Sequence, residues 1–525
     1  MEGGSHKQEH VVPLWKHSCV HDGVRFPPPR ASLGLRLYSR DSKNNISVKL
    51  TADQEEIAVQ YAALFEKGTV DATFVKNFLR DWNAVLREPH PSWDFSRLHR
   101  DAIAATAARR RPSPPAPLPR QLATIDGDTF PVTNGVVQRP GVYVARSEAH
   151  PLHGRIRARV RPEGVTLNLS RGAPTPPPPY PDSSWGRVIH QPRVSWLARW
   201  RDPLTREFKY MTVRTADLET QTQYDALKFS AAERLGREMP VVRRRLRRVL
   251  LQELERKEKN KTLWVATCAA LVLEFGIRRG GGNRTVTTGA TTLRANEVVL
   301  GDRKKKVVRL RFTGKDGVAF DATRRVSPEL FDALELAIRR AVAAAGATTR
   351  LWRDDVSPEA VNAFMDRHML PGLTSKVIRT HIATSIVRSR LSSDGGGGGA
   401  DAMLIREMPN AALLEVAWTL NHKKRKNIAA TEKREEEGSF LHALDDFWAS
   451  ARSEHVDRRR ATEVRRTLKL AAGRLGLSPS TSKMNYVDPA VILRFAELRG
   501  LPVSVVYSPA QLARLVPRER QQREV

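Results

Sequence analysis

Ser482-Lys483-Met484-Asn485-Tyr486-Val487-Asp488-Pro489 sets a single tyrosine near the end of a 525-residue chain whose formal net charge is +31. A free phenol is a poor nucleophile at neutral pH, because its pKa lies near about 10. Clustered cations favour the phenoxide and neutralise a phosphate that it attacks. Two readings of Tyr486 follow. It is a nucleophile for a phosphodiester, or it is a tyrosine packed at the start of a C-terminal helix.

The rest of the composition bears on that choice. Lysine and arginine number 88 against 57 acidic residues, an excess that favours a polyanionic partner: DNA, RNA or an acidic membrane surface. The basic residues run along the whole chain, which suits a protein that surrounds a nucleic acid better than one with a basic tail. The length predicts about three or four domains at ~150 residues each. Cys19 and Cys268 are the only cysteines. They exclude a disulfide framework and a Cys-rich zinc site, and they point to a reducing compartment. The N-terminus has no apolar signal core, and no apolar run approaches the ~18 residues of a membrane span.

Along the chain, residues 52–90 read as helices: Ala58, Tyr61, Ala62, Leu64 and Phe65 recur at helical spacing, followed by Phe74, Phe78, Leu79 and Trp82. Residues 109–121 are proline-rich and predict a stiff connection. Short alternating runs such as Val142-Tyr143-Val144 and Val165-Thr166-Leu167-Asn168-Leu169 predict strands over 122–215. Long helical patterning covers 216–275. Val307 to Phe312 alternates, Gly314-Lys315-Asp316-Gly317 turns, and Val318-Ala319-Phe320 returns, which predicts a hairpin. Helices resume over 328–389, and Gly395 to Gly399 predict a flexible loop. Over 430–475 the stripes Leu441, Leu444, Phe447, Trp448 and Val464, Leu468, Ala471, Leu475 predict an antiparallel helical pair, stopped by Gly476 and Pro479.

A tyrosine that cleaves DNA needs two guanidinium groups to clamp the non-bridging oxygens, a general acid for the leaving 5′-oxygen, and a further donor for the phosphorane. The Tyr486 octapeptide resembles the active-site segment of the eukaryotic-type DNA topoisomerase IB family, which supplies these groups in the order Arg, Lys, Arg, His, Tyr. Four other segments match in that order. Gly276-Ile277-Arg278-Arg279-Gly280 resembles the family's Leu-Arg-Ala-Gly-Asn; Gly281-Gly282 displaces the Asn and leaves the first clamp open between Arg278 and Arg279. Phe312-Thr313-Gly314-Lys315-Asp316 is similar to Phe-Leu-Gly-Lys-Asp. Leu373-Thr374-Ser375-Lys376-Val377-Ile378-Arg379-Thr380 is similar to Thr-Ala-Lys-Val-Phe-Arg-Thr, and Leu420-Asn421-His422 carries the family's Asn-His pair. Trp15 to Phe26, Lys76 to Trp82, His150 to Arg155 and Val194 to Trp200 resemble cap segments, so the resemblance runs from about 13 to 515. Ala145-Arg146-Ser147-Glu148-Ala149 departs from the family's Arg-Gly-Arg-Gly-Asn, and the linker is shorter.

The resemblance implies an α+β protein: a mixed α/β cap, a mainly helical catalytic module of the tyrosine recombinase/topoisomerase IB type with a small β-sheet, and a helical-hairpin linker. The implied boundaries are a DNA-clamping cap at 1–214, a catalytic core at 215–425, a projecting linker at 426–478, and a C-terminal segment at 479–525 that delivers Tyr486. The implied activity is relaxation of supercoiled duplex DNA through a 3′-phosphotyrosine, strand rotation and religation, with Arg278, Lys315, Arg379 and His422 assisting. Neither ATP nor metal nor any other cofactor is expected. Arg157, Arg159, Asp316, Lys376, Lys483 and Asn485 are candidate DNA contacts. The expected partner is double-stranded DNA, bound by a monomer without a membrane, in the nucleus or on viral DNA. A tyrosine recombinase or integrase, or a non-catalytic DNA-packaging protein, are the alternatives. The cluster Lys423-Lys424-Arg425-Lys426 follows His422 and is expected to face DNA.

Overall fold

The computed structural model describes residues 13–27, 32–40, 46–68, 70–86, 92–108, 120–145, 152–180, 182–213, 219–257, 261–280, 288–315, 318–352, 356–392, 401–423, 430–453, 455–508 and 511. Asp316, Gly395 to Gly399, Lys424 to Lys426, His150 and most of the 109–121 proline-rich stretch lie outside the described residues. The chain is a mixed α+β protein that divides into two compact units, Met1–Gln223 and Tyr224–Val525.

In the first unit the order is β1 (Cys19–His21), β2 (Arg36–Tyr38), β3 (Ser47–Lys49), α1 (Ala52–Glu66), α2 (Ala72–Leu86), α3 (Phe95–Ala108), β4 (Leu122–Ile125), β5 (Asp128–Thr133), β6 (Gly141–Val142), β7 (Ile156–Arg157), β8 (Val165–Asn168), β9 (Arg187–Ile189), β10 (Ala198–Arg201) and β11 (Phe208–Val213). Thr51 and Gln54 cap α1 reciprocally, which satisfies two donors that a helix start leaves orphaned. Tyr61, Phe78, Trp82 and Leu98 bury the facing sides of α1, α2 and α3, with the Tyr61 and Phe78 rings stacked at 3.6 Å. The helix α3 goes beyond the sequence expectation, although Phe95, Leu98 and Ala102 do recur on one buried face. A seven-stranded sheet runs in the order β1-β4-β5-β11-β10-β8-β9. It is antiparallel except for the β8–β9 pair, and Leu167, Trp200 and Met211 form its buried face.

The second unit holds most of α4 (Glu219–Glu255), then α5 (Lys261–Phe275), β12 (Val298–Leu300), β13 (Val307–Thr313), β14 (Ala319–Arg325), α6 (Pro328–Ala345), α7 (Pro358–Phe364), α8 (Ser375–Ser392), α9 (Ala402–Thr419), α10 (Ala430–Arg452), α11 (Arg458–Arg474), α12 (Pro479–Asn485) and α13 (Pro489–Leu498). The helix α5 is apolar nearly all round and lies in the middle of one core with α4, α6, α7 and the three-stranded β12-β13-β14 sheet. At about 1.5–3 kcal/mol per buried large apolar side chain, its Leu263, Trp264, Leu271 and Phe275 are a main source of this unit's cohesion. A second core joins α8, α9, α10, α11 and the C-terminal residues Ile492, Phe495 and Tyr507. The α10–α11 hairpin falls where its stripes predict, with one correction. Leu441 is exposed and Phe440 is the buried residue, and Phe440 sets its ring 5.6 Å from Trp418 of α9. The hairpin therefore shares the core of α8 and α9, in contrast to the expectation of a projecting linker. Among the described residues no helix is long and apolar enough to cross a membrane.

Candidate active site

Arg379, His422 and Tyr486, which are 43 or more residues apart in sequence, meet inside the second unit. Local chemistry explains each placement. Tyr486 is the residue at which α12 ends, and its N–H donates to Ser482 O at 3.0 Å. Asp488 and Pro489 then start α13, with Asp488 Oδ1 accepting from Ala490 N at 3.0 Å. An N-cap aspartate and a first-turn proline are strong helix-start signals, so the tyrosine is held at the junction of two helices. Thr384 of α8 closes that junction. Its hydroxyl donates to Tyr486 O at 3.3 Å and accepts from Asp488 N at 3.1 Å.

His422 follows the end of α9. Asn421 adopts φ +54°, a left-handed conformation that Asn tolerates, and His422 N donates to Ala417 O at 2.7 Å. Asn421 Nδ2 also donates to Ala319 O at 3.2 Å, which ties this turn to the turn end of the β13–β14 hairpin. The His422 carbonyl accepts from Ser478 N at 2.8 Å, fixing it to the start of α12.

Arg379 lies on the inner face of α8 and is only 4% exposed. Its guanidinium donates to Gly276 O, to Leu420 O at 3.1 Å and to His422 Nε2 at 2.8 Å. Gly276 ends α5 at φ +61°, and a Cβ there would press on Ile382 and Leu420 at 3.1 Å, so only glycine turns its carbonyl toward Arg379 without strain. The Arg379 Cζ lies 5.0 Å from the Tyr486 ring centroid, and the His422 and Tyr486 rings stack at 4.9 Å. No carboxylate pairs with Arg379 among the described residues. Its Nε is buried without a hydrogen-bond partner. A buried cation with an orphaned donor is costly, and a bound anion relieves that cost.

The first arginine stands on a segment held by backbone contacts. Arg278 O and Arg279 O accept from Ala290 N and Thr291 N, both at 2.8 Å, and Gly289 lies so close to Gly280 that a Cβ would sit 2.5 Å from its Cα. The charge of Arg278 acts on Tyr486, His422 and Arg379 alike.

These charges set the protonation of the site. Burial raises the phenol pKa of Tyr486, but Arg379 and Arg278, with a contribution from Lys376, more than offset it, and the net shift is downward. Burial, then Arg379 and Arg278, push His422 down to about 3, so its ring is neutral. Burial likewise lowers Arg379 from its ordinary value, with Tyr486 acting in the opposite direction. An arginine has no acceptor. His422 Nε2 therefore accepts, the ring proton sits on Nδ1, and Nδ1 donates to Ser482 Oγ at 2.8 Å.

The other sequence candidates are placed differently. Lys315 is exposed in the β13–β14 turn, outside the contacts of the Arg379–His422–Tyr486 cluster. Lys376 is exposed in the first turn of α8. Asn485 is exposed, with Nδ2 donating to Thr481 O at 3.0 Å. Lys483 turns inward, donating to Val506 O at 2.6 Å and Gln511 Oε1 at 3.0 Å. In the first unit Arg157 pairs with buried Asp202 at 3.2 Å, and Arg159 with Asp53 at 2.7 Å and Glu56 at 3.0 Å. Lys483, Arg157 and Arg159 are thus each engaged by acceptors of the chain itself.

Two contributors have no part in the sequence expectation. Lys228 of α4 is buried, pairs with Asp225 at 2.7 Å, and donates to the carbonyl of Asn485, next to Tyr486, at 3.4 Å. Burial lowers its pKa, and Asp225, with a smaller contribution from Tyr486, opposes that shift. An Asp–Lys pair at i,i+3 reads as an ordinary surface pair, so nothing local marks it. Ser482 stands inside the octapeptide, but its contact with His422 spans 60 residues of sequence.

The arrangement defines a class: an anion-accepting site with a tyrosine as its candidate nucleophile, on a mixed α+β body. Two family models identify the family. The model of the eukaryotic DNA topoisomerase I catalytic core matches residues 217–453. That of the eukaryotic DNA topoisomerase I DNA-binding fragment matches 14–113 and 117–213. The chain belongs to the eukaryotic DNA topoisomerase I family. Similar proteins include DNA topoisomerase 1 beta of Arabidopsis thaliana, 25% identical over 559 residues covering 95% of this chain and 58% of the relative. DNA topoisomerase 1 of Candidozyma auris is 28% identical over 430 residues, 77% of this chain and 55% of the relative. The mitochondrial DNA topoisomerase I of Homo sapiens is 25% identical over 564 residues, 97% and 90% respectively. The chain spans a little over half the length of the plant and yeast relatives. The core match ends before Tyr486, so the tyrosine rests on its octapeptide and its geometry.

Proposed function

We propose that this protein is a type IB DNA topoisomerase that relaxes supercoiled duplex DNA. The observation that carries the reading is Arg379: a cation 4% exposed, with an orphaned Nε and, among the described residues, no carboxylate partner, 5.0 Å from the Tyr486 ring. A backbone phosphate supplies the missing anion. The phenol oxygen of Tyr486 attacks phosphorus, and the P–O5′ bond breaks. The product is a 3′-phosphotyrosine with a free 5′-hydroxyl. Arg379 and Arg278 hold the non-bridging oxygens, since planar guanidinium groups offer two coplanar donors and keep their charge. Lys315, on the exposed hairpin turn, protonates the leaving 5′-oxygen, and His422 donates to a non-bridging oxygen. The phosphodiester energy is retained in the phosphotyrosine, so the hydroxyl reseals the strand after rotation, without nucleotide or metal.

In this reading residues 1–214 form a DNA-clamping cap, 215–425 a catalytic core, 426–478 a helical linker, and 479–525 the segment that carries Tyr486. The partner is double-stranded DNA, contacted mostly at phosphates, among others by Lys376 and Asn485, so binding is weakly sequence-specific and falls with salt. The protein acts as a monomer on nuclear or viral DNA. The test is plasmid relaxation in EDTA without nucleotide. The wild type relaxes and Tyr486→Phe does not; a strict requirement for ATP, or full activity in the phenylalanine variant, contradicts the assignment.

A further inference from the structure

The His422 ring faces a conflict that the proposed function creates. In the free protein its Nε2 accepts from Arg379 at 2.8 Å and its proton is on Nδ1. To stabilise a non-bridging oxygen the same Nε2 must carry a proton and donate. The ring is neutral at working pH, held there by burial and by the charges of Arg379 and Arg278, so it has one proton for two nitrogens. The partner of Nδ1 decides which nitrogen holds it.

That partner is the hydroxyl of Ser482, at 2.8 Å. Both residues are buried, Ser482 completely and His422 to within 3%, and no other hydrogen bond is recorded for the Ser482 hydroxyl among the described residues. A hydroxyl accepts and donates with equal ease, and its hydrogen rotates to suit. A carboxylate in this position would only accept, which fixes the proton on Nδ1 and leaves Nε2 bare. The Ser482 carbonyl meanwhile accepts from Tyr486 N at 3.0 Å and Val487 N at 3.2 Å. One residue thus holds the histidine through its side chain and the nucleophile through its backbone.

We propose that Ser482 is a positioning residue that selects the His422 tautomer, accepting from Nδ1–H in the free protein and donating to bare Nδ1 when a phosphate takes Arg379. The exchange is balanced. The ring loses the proton on Nδ1 and gains one on Nε2, water takes the first and supplies the second, and the net charge of the ring is unchanged. Arg379 leaves Nε2 for the phosphate, Nε2–H turns to the same phosphate, and both donors that were spent on each other serve the anion. The proposal rests on the assignment of Tyr486 as the nucleophile for DNA.

Two measurements test it. The first is 15N NMR of the His422 ring, assigned with a His422→Gln control, in the free protein and in Tyr486→Phe bound to an uncleaved duplex. The protonated nitrogen is expected to change from Nδ1 to Nε2 on binding. The second is single-turnover cleavage of a suicide duplex by Ser482→Ala and Ser482→Thr. The alanine variant is expected to bind the duplex as the wild type does but to cleave it tenfold or more slowly, out of the roughly 10²–10⁴-fold that a positioned proton donor contributes. Threonine, which keeps the hydroxyl, is expected to restore most of the rate. The same His422 tautomer in both states, or cleavage by Ser482→Ala within a few-fold of an active wild type, overturns the tautomer switch. A wild type that binds duplex and never cleaves it overturns the assigned function, and this proposal with it.

Discussion

Replacing Arg379 by lysine keeps the charge and removes the planar fork, which makes it a sharp probe of the buried cation. In the free protein the guanidinium reaches three acceptors on different elements: Gly276 O at the end of α5, Leu420 O at the end of α9, and His422 Nε2. An ammonium presents its donors from one atom and cannot span them all. Each hydrogen bond lost from a charged donor costs about 1.5–3 kcal/mol. Against this, the buried charge, which has no counter-ion among the described residues, is itself destabilising, and the smaller head admits water, so the net change in stability is expected to stay within about 2 kcal/mol. The change in cleavage is larger. Loss of one of two coplanar donors to the phosphorane oxygens is worth about 3 kcal/mol in the barrier, or about a hundredfold in rate. The assay is single-turnover cleavage of a suicide duplex, with duplex affinity and the denaturation midpoint measured alongside. Arg278→Lys is expected to behave like Arg379→Lys and Arg279→Lys like the wild type, since the Arg278 charge, with that of Arg379, lowers the Tyr486 pKa. Rates within a few-fold of wild type for both Arg278→Lys and Arg379→Lys, in folded protein, would refute the clamp and reduce these residues to charges that track DNA.

Three further outcomes are expected. Lys315→Ala should slow cleavage strongly on ordinary DNA and recover much of the loss when the leaving 5′-oxygen is replaced by sulfur; no recovery means that Lys315 positions the duplex and is not the acid. Lys228→Met removes the buried cation that holds Asn485 O and leaves Asp225 partly solvated, so cleavage should fall several-fold and its alkaline optimum move upward as the tyrosine loses a nearby positive charge, which a pH–rate profile reads directly. The pKa of His422 is depressed from 6.5 to about 3 on folding, so between those values the unfolded chain takes up a proton that the folded one refuses. The stability contributed is complete above pH 6.5 and is lost as pH falls toward 3, by up to about 1.4 kcal/mol per pH unit. Denaturant midpoints of the wild type should therefore drop more steeply from pH 6.5 to 5 than those of His422→Gln, and parallel curves contradict the assigned shift.

What the sequence makes legible is local. The strands Val307–Thr313 and Ala319–Arg325 pair as the hairpin that the alternation predicts, and the stripe of α11 is buried at Val464, Leu468, Ala471 and Leu475. Periodicity resolves less where two neighbouring residues are both apolar, so Leu441 reads as core although Phe440 holds that place. Sheet order is not local at all: β1 pairs with β4 across about a hundred residues, and β8 lies parallel to β9. The site divides in the same way. Arg379, His422 and Tyr486 stand in recognisable segments. The segment of Arg278 and Arg279 is held where Gly280 passes close to Gly289, and that crossing brings together segments whose spacing carries no signal. Lys228 reads as a surface residue of a charged helix, and a carbonyl 257 residues away is what makes it part of the site. Lys483 reads as a DNA contact because it is basic and beside the nucleophile, yet Val506 and Gln511 take its donors.

The central claim is that the phenol oxygen of Tyr486 becomes covalently joined to DNA. The direct measurement is to mix the protein with supercoiled or suicide substrate, quench with denaturant, digest both polymers, and identify the modified peptide by mass spectrometry. The account predicts a nucleotide attached through its 3′-phosphate to Tyr486, a free 5′-hydroxyl on the other fragment, and no adduct from Tyr486→Phe. An adduct on a different residue, a 5′-phosphate linkage, or relaxation without any trapped adduct contradicts it.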